Sequence, residues 1–413
     1  MPSTSSTTTS PTTTDRPANR SPTPMIQTAI KTVIPTPVKT LHTKYGQSVW
    51  LDHIQRCMIR SGELYRLIAV EGIRGVVFNP AILQKAIADT TDYNTQLSAL
   101  STNRDLDVDS DAIELYEQLA IADIQAAANI LTPLYQKINR QDGYVSLEVS
   151  PYLAYDGEQT LQEARRLWAE VNRPNLMLKV PATAAGIPVI QQLISEGINV
   201  HATLLFSQET YLQVAEAFLT GLETYAKAGG DISHVASVAS FSMSQIDTAV
   251  DALLERKIAT AGDRTTVSLL EYLQGKIAIS HAKLVYREYV KLCCSKRWEP
   301  LAKQGAQPQR LLWASTATKN PLYSDVLYVE ELIGPDTINT APLSTLSAFL
   351  EHGKARISLA EDVESAAVVI GSLAQMGIDF QAVTDQLLNQ GVQTFQQTFD
   401  QLLQAIKAKV YHF

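Results

Sequence analysis

Lys179 stands in the run Leu176-Met177-Leu178-Lys179-Val180, which is apolar apart from the lysine and stopped by Pro181. Such a run reads as a buried strand rather than a half-exposed one. Ammonium solvation is poor at the end of a buried strand. Desolvation favours the neutral amine, which can attack a carbonyl to form an imine. Taken alone, the same lysine could instead snorkel outward from a strand terminus. Other polar residues fall at the ends of apolar runs: Asp52, Asn79, Glu148, Thr203, Ser240 and Lys319. Most have an ordinary use. Asp52 could cap a helix, Asn79 could shape the turn before Pro80, Thr203 could fill a strand and Ser240 could serve packing. Glu148 is harder to dismiss, because a carboxylate inside Ser146-Leu147-Glu148-Val149-Ser150 is costly to bury without a partner. The set amounts to an amine nucleophile, two carboxylates for proton transfer, and hydroxyl and amide groups. That combination suits carbonyl chemistry through an imine, with no metal or other cofactor expected.

The elements that must carry these residues alternate along the chain. Strand candidates are Gln47–Leu51, Gly75–Phe78, Val145–Val149, Leu176–Val180, Val200–Phe206, Val235–Phe241, Leu311–Ser315 and Thr337–Thr340. Most are short and apolar throughout, as parallel strands covered by helices are. Between them lie helical stripes, such as Leu161, Ala164, Leu167, Trp168 and Val171, or Tyr211, Val214, Phe218 and Leu222. The long connectors Leu83–Asp142 and Asp247–Gln309 should each hold more than one helix. Residues 362–413 read as terminal helices packing on the outside. Eight strands alternating with helices predict an α/β fold, a (β/α)₈ TIM barrel with additional helices. An open doubly wound sheet is the competing arrangement, but no Gly-rich phosphate fingerprint follows any strand.

The chain has 413 residues, 45% hydrophobic and 18% charged, with a net charge of −8. Nucleic-acid binding is not expected, since neutralising phosphates needs a basic face. Cys57, Cys293 and Cys294 form no CxxC or Cys/His cluster, which argues against a zinc site or disulfide framework and suits a reducing cytoplasm. No segment has the roughly 18 consecutive apolar residues of a membrane span. Residues 1–24 are rich in Ser, Thr and Pro and are expected to be a disordered tail ahead of a single barrel domain over 40–413.

At several places the sequence resembles the transaldolases, closest in pattern to their longer bacterial form. The resemblance runs from about Gln47 to about Gly353. It rests on Val49-Trp50-Leu51-Asp52, Ser61-Gly62-Glu63-Leu64, Asn79-Pro80-Ala81-Ile82, Ser146-Leu147-Glu148-Val149-Ser150-Pro151, Lys179-Val180-Pro181-Ala182-Thr183, Thr203-Leu204-Leu205-Phe206-Ser207, Ala236-Ser237-Val238-Ala239-Ser240-Phe241 and Trp313-Ala314-Ser315-Thr316, in family order. It implies a (β/α)₈ barrel that transfers a dihydroxyacetone unit between sugar phosphates, as in the pentose phosphate pathway. Lys179 would match the Schiff-base lysine and Asp52 the acid/base of C–C cleavage. Glu148 and Thr203 would position the water of carbinolamine dehydration. Asn79 and Ser240 would hold hydroxyls of the three-carbon unit, and Lys319 would match a cation contacting the substrate phosphate.

Three expected pocket positions depart from the family pattern. Val76-Val77-Phe78 replaces hydroxyl-bearing residues, His201 stands in place of an Asn, and Gln245 stands in place of an Arg. A guanidinium grips phosphate through two charge-assisted hydrogen bonds that a neutral amide cannot supply. The resemblance therefore leaves three readings: an ordinary transaldolase; a divergent one in specialised metabolism acting on a different substrate, phosphorylated or not; and a catalytically silent sugar-phosphate-binding barrel. The intact Asp52, Glu148, Lys179 and Thr203 argue against the last.

Overall fold

The computed structural model describes residues 35–102 and 108–411; the Ser/Thr/Pro-rich segment 1–24 lies outside the described residues. Pro35–Phe413 forms one compact unit. It begins with the helix Pro37–Tyr45, whose Val38 and Leu41 are buried, so the packed body starts ahead of residue 40.

Eight strands form the centre: β1 Ser48–Leu51, β2 Gly75–Val77, β3 Tyr144–Glu148, β4 Leu176–Pro181, β5 Val200–Leu205, β6 Ser237–Ser242, β7 Arg310–Ala314 and β8 Thr337–Ala341. Each pairs in parallel with the next, and β8 closes on β1. This is the (β/α)₈ barrel expected from the sequence. Apolar runs give away such strands because one face fills the barrel while the other packs on helices. β6 starts two residues later than expected, because Ile232–His234 is a short 3₁₀ turn. Both long connectors hold several helices, including Val108–Lys137 in the first and Ile277–Cys293 in the second.

The N-terminal end of the barrel is closed by a buried polar plug. Asp142 accepts hydrogen bonds from Ser48 Oγ at 2.6 Å, Trp50 Nε1 at 2.9 Å, Arg74 Nε at 2.8 Å and Arg310 Nη1 at 3.1 Å. Residues at this face of a barrel serve stability.

The terminal helices were expected on the outside. Instead the 31-residue helix Phe380–Val410 lies over the C-terminal strand ends. Its buried stripe, with Val383, Leu387, Val392, Phe399, Leu402 and Ile406, has helical spacing. It packs against β5 and the helices that follow β2. Among the described residues no single helix is long and apolar enough to cross a membrane.

Candidate active site

Strand register places the central residues. Glu148 on β3 pairs with Lys179 on β4, which pairs with His201 on β5. Directly paired residues on parallel strands share a face, so all three point into the barrel. Lys179 Nζ donates to Glu148 Oε2 at 3.0 Å, and the lysine is only 8% exposed. Two positions further along, Thr203 pairs with Pro181. Leu204, next to it, has φ +60° within an irregular stretch of the β5–β6 register. A branched residue held there costs of order 1–3 kcal/mol and persists only where its surroundings impose it.

Asp52 lies just past β1 and its amide donates to Ala341 O at 3.0 Å. It caps no helix: Gln55 holds the N-cap position of Arg56–Arg60. Asn79 does two things at once. Its Oδ1 accepts from Ala81 N at 3.1 Å, capping the helix Pro80–Asp89, and its Nδ2 reaches Asp52 Oδ1 at 3.4 Å. The turn-shaping role and the site role therefore belong to one side chain.

Asp52, Phe78, Asn79, Glu148, Lys179, His201, Thr203, Ser240 and Gln245 all line one cavity of about 250 Å³. Gln245 sits at its rim, exposed, in the first turn of the helix Met243–Ile258. Lys319 is not brought to this wall; it is exposed in the loop after β7. Among the described residues Lys179 is the one Lys or Arg on the lining. Tyr116, Ser242, Ser315 and Thr340 also line the cavity, as do Thr394, Phe395, Thr398 and Phe399 of the C-terminal helix. Sequence reasoning missed these. Ser315 was visible inside a matching stretch, but Phe395 continues the apolar stripe of its helix and nothing marked it out.

Burial sets the charge states. It raises the Asp52 carboxyl above the usual range, with Lys179 and Asn79 opposing. It raises Glu148 likewise, again with Lys179 opposing. Burial, then the Lys179 charge, holds His201 far below its usual value, so its ring is neutral near pH 7. Neither His201 nitrogen has a hydrogen-bond partner among the described residues, and the same holds for Glu148 Oε1 and Thr340 Oγ1. Buried polar atoms are normally paired, so these atoms are suited to meeting polar groups of a bound molecule. No group of His, Cys, Asp and Glu able to hold a metal ion occurs among the described residues.

A closed parallel barrel with a buried amine, two carboxylates and unpaired polar atoms at its C-terminal strand ends defines a barrel enzyme centred on that amine. The family described as Transaldolase/Fructose-6-phosphate aldolase matches residues 49–406. The "Transaldolase 2" of Nostoc sp. (strain PCC 7120) is 44% identical over 370 residues, covering 89% of this chain and 96% of that protein. The "Transaldolase" of Trichodesmium erythraeum is 43% identical over 367 residues, 88% and 95% of the two chains. That of Thiobacillus denitrificans is 42% identical over 364 residues, 88% and 98%. The chain belongs to the transaldolase family, and it is an enzyme, a transferase of transaldolase type. Neither the altered-substrate nor the silent-barrel reading is favoured. The match also reaches past Gly353, where the sequence resemblance ended, into the C-terminal helix.

Proposed function

We propose that the enzyme takes a dihydroxyacetone unit from a ketose phosphate and passes it to an aldose phosphate through an imine at Lys179. The observation that carries this reading is the buried Lys179–Glu148 contact at the C-terminal ends of β3 and β4. The amine attacks the ketone carbon. Glu148 and Thr203 hold the water that shuttles protons as the carbinolamine loses its hydroxyl. Asp52 takes the proton of the sugar hydroxyl as the C–C bond breaks, and its raised pKa suits an acid/base role near neutral pH. Asn79 and Ser240 hold hydroxyls of the three-carbon unit, and the unpartnered His201 ring meets another. The setting is cytoplasmic, which suits three free cysteines. Borohydride reduction in the presence of fructose 6-phosphate tests the imine by labelling the Lys179 peptide.

The distal phosphate would lie by the helix Met243–Ile258. Its N-cap, Ser242, lines the cavity and makes no side-chain cap bond. First-turn amides and the helix dipole favour an anion there. Without a guanidinium this grip is weak. Gln245→Arg is expected to lower the Michaelis constant for fructose 6-phosphate by about tenfold with little change in turnover, the mark of added uniform binding. Salt should inhibit the variant more than the parent, because the new contact is ionic. An unchanged Michaelis constant would show that another cation holds the phosphate.

A further inference from the structure

We infer that Phe395, on the C-terminal helix, sets how often the bound three-carbon unit is passed to an acceptor rather than released as free ketone. This inference rests on the Lys179 imine proposed above. The Lys179 Nζ lies 4.7 Å from the centre of the Phe395 ring and over its face. Glu148 holds the same nitrogen from the neighbouring strand, and the His201 ring is paired beside it on β5. The amine thus lies between a carboxylate of β3 and a ring of the C-terminal helix.

That helix is held firmly in place. Gly391, one turn before Phe395, lies so near Leu204 that an added Cβ would come within 2.8 Å of its Cδ2. Tyr152, in the turn after β3, donates to Asp400, and Tyr155 donates to Asn389 at 2.9 Å. Gln396 Nε2 donates to Pro151 O at 3.2 Å, and Lys409 Nζ donates to Thr90 O at 2.9 Å. These contacts fix the ring over the amine.

After C–C cleavage the three-carbon unit remains on Lys179 as an enamine. In transfer, the enamine carbon attacks the acceptor aldehyde, a C–C bond forms, the alkoxide takes a proton from Asp52, and water then adds to the product iminium and breaks its C–N bond to free the new ketose. In release, the same carbon takes a proton instead and gives an iminium. Water then adds to the iminium carbon, the C–N bond breaks, and free dihydroxyacetone leaves a neutral amine. Both routes balance with water and a proton alone. Both routes pass through an iminium that water hydrolyses, so the choice is made earlier, by whether the enamine carbon meets a proton carried in by water or the acceptor aldehyde. The Phe395 ring acts on that step by covering the nitrogen and the unit bound to it against water.

The test uses the full chain with fructose 6-phosphate and limiting erythrose 4-phosphate, measuring free dihydroxyacetone against transfer product. Phe395→Ala is expected to raise the ratio of release to transfer by about tenfold, because water enters the space left by the ring and brings a proton to the enamine carbon. Borohydride should still label Lys179 in this variant. Phe395→Leu restores the apolar cover, so its ratio should return towards that of the parent. A merely structural role would lower both routes together and leave the ratio unchanged. A labelled parent with an unchanged ratio in Phe395→Ala overturns this inference alone. A parent that is not labelled at Lys179 overturns the imine reading, and this inference with it.

Discussion

Replacing Lys179 with methionine should lower kcat/KM by about ten-thousand-fold or more, because removing a covalent nucleophile removes the intermediate itself. The choice of methionine separates chemistry from folding. It fills nearly the same volume in a site that is 8% exposed, so no large cavity forms. Glu148 loses its partner, but burial already raises its pKa, and without the lysine charge it can stay protonated. The melting temperature should therefore change little near neutral pH. In the parent, borohydride with fructose 6-phosphate should attach a reduced three-carbon unit to the Lys179 peptide; in the variant the label should be absent from the whole protein. Label on another lysine, or turnover close to that of the parent, would sink the assignment. Glu148→Gln separates the two groups further. It keeps a side chain that can contact the amine but cannot take up a proton, so it should slow imine formation and leave trapping possible at long times.

The part of this site that could be read along the chain is the part where local preference and placement conflict. Glu148 and Lys179 stand out because charged groups interrupt apolar strands, and burial of an unpaired charge is expensive. Parallel register then brings them together without any long-range inference, since residues at equivalent depth on β3 and β4 face the same way. Asp52 and Asn79 were legible for the related reason that they lie just past the ends of β1 and β2. The strands themselves were legible because runs buried on both faces leave a strong apolar signal.

Other parts are set by contacts between distant segments and leave no local mark. The stripe Val383, Leu387, Val392, Phe399, Leu402 and Ile406 says that one face of a helix is buried, but not what buries it. Hence the C-terminal helix read as outer packing, although it supplies Phe395 and Phe399 to the cavity. Lys319 shows the opposite case. It follows β7 by five residues in an irregular loop, where distance along the chain no longer fixes direction, and it is exposed. Asp142 sits in Gln141-Asp142-Gly143, which reads as an ordinary turn. Only closure of the barrel gathers residues of β1, β7 and the approach to β2 around it.

That last residue carries the largest expected effect on stability. Asp142 is 1% exposed and sits between Arg74 and Arg310, whose side chains are themselves 12% and 13% exposed. Asp142→Ala leaves two largely buried guanidinium groups with no counter-charge, and it strips the Ser48 hydroxyl and the Trp50 indole of their acceptor. Removing one partner of a buried ion pair costs about 3–5 kcal/mol, a large share of the 5–15 kcal/mol that holds typical folded proteins together. The midpoint of urea unfolding should fall accordingly, while kcat of the protein that remains folded stays near that of the parent, because the plug lies at the end of the barrel away from Lys179. Asp142→Asn removes the charge but keeps an acceptor, so its loss should be smaller. The pH dependence identifies the cause. Burial opposes ionisation of Asp142, but Arg310, Arg74 and the Ser48 hydroxyl outweigh it and hold the carboxyl below the usual range. A group whose pKa is depressed by folding contributes stability above its unfolded pKa of about 4 and loses it as pH falls through the folded value. The stability gap between the parent and Asp142→Asn should therefore hold steady from neutral pH down to about 4 and narrow only below it. A gap that already closes between pH 7 and 5 would mean that the carboxylate is not held by the two arginines, and that the variant acts through packing instead.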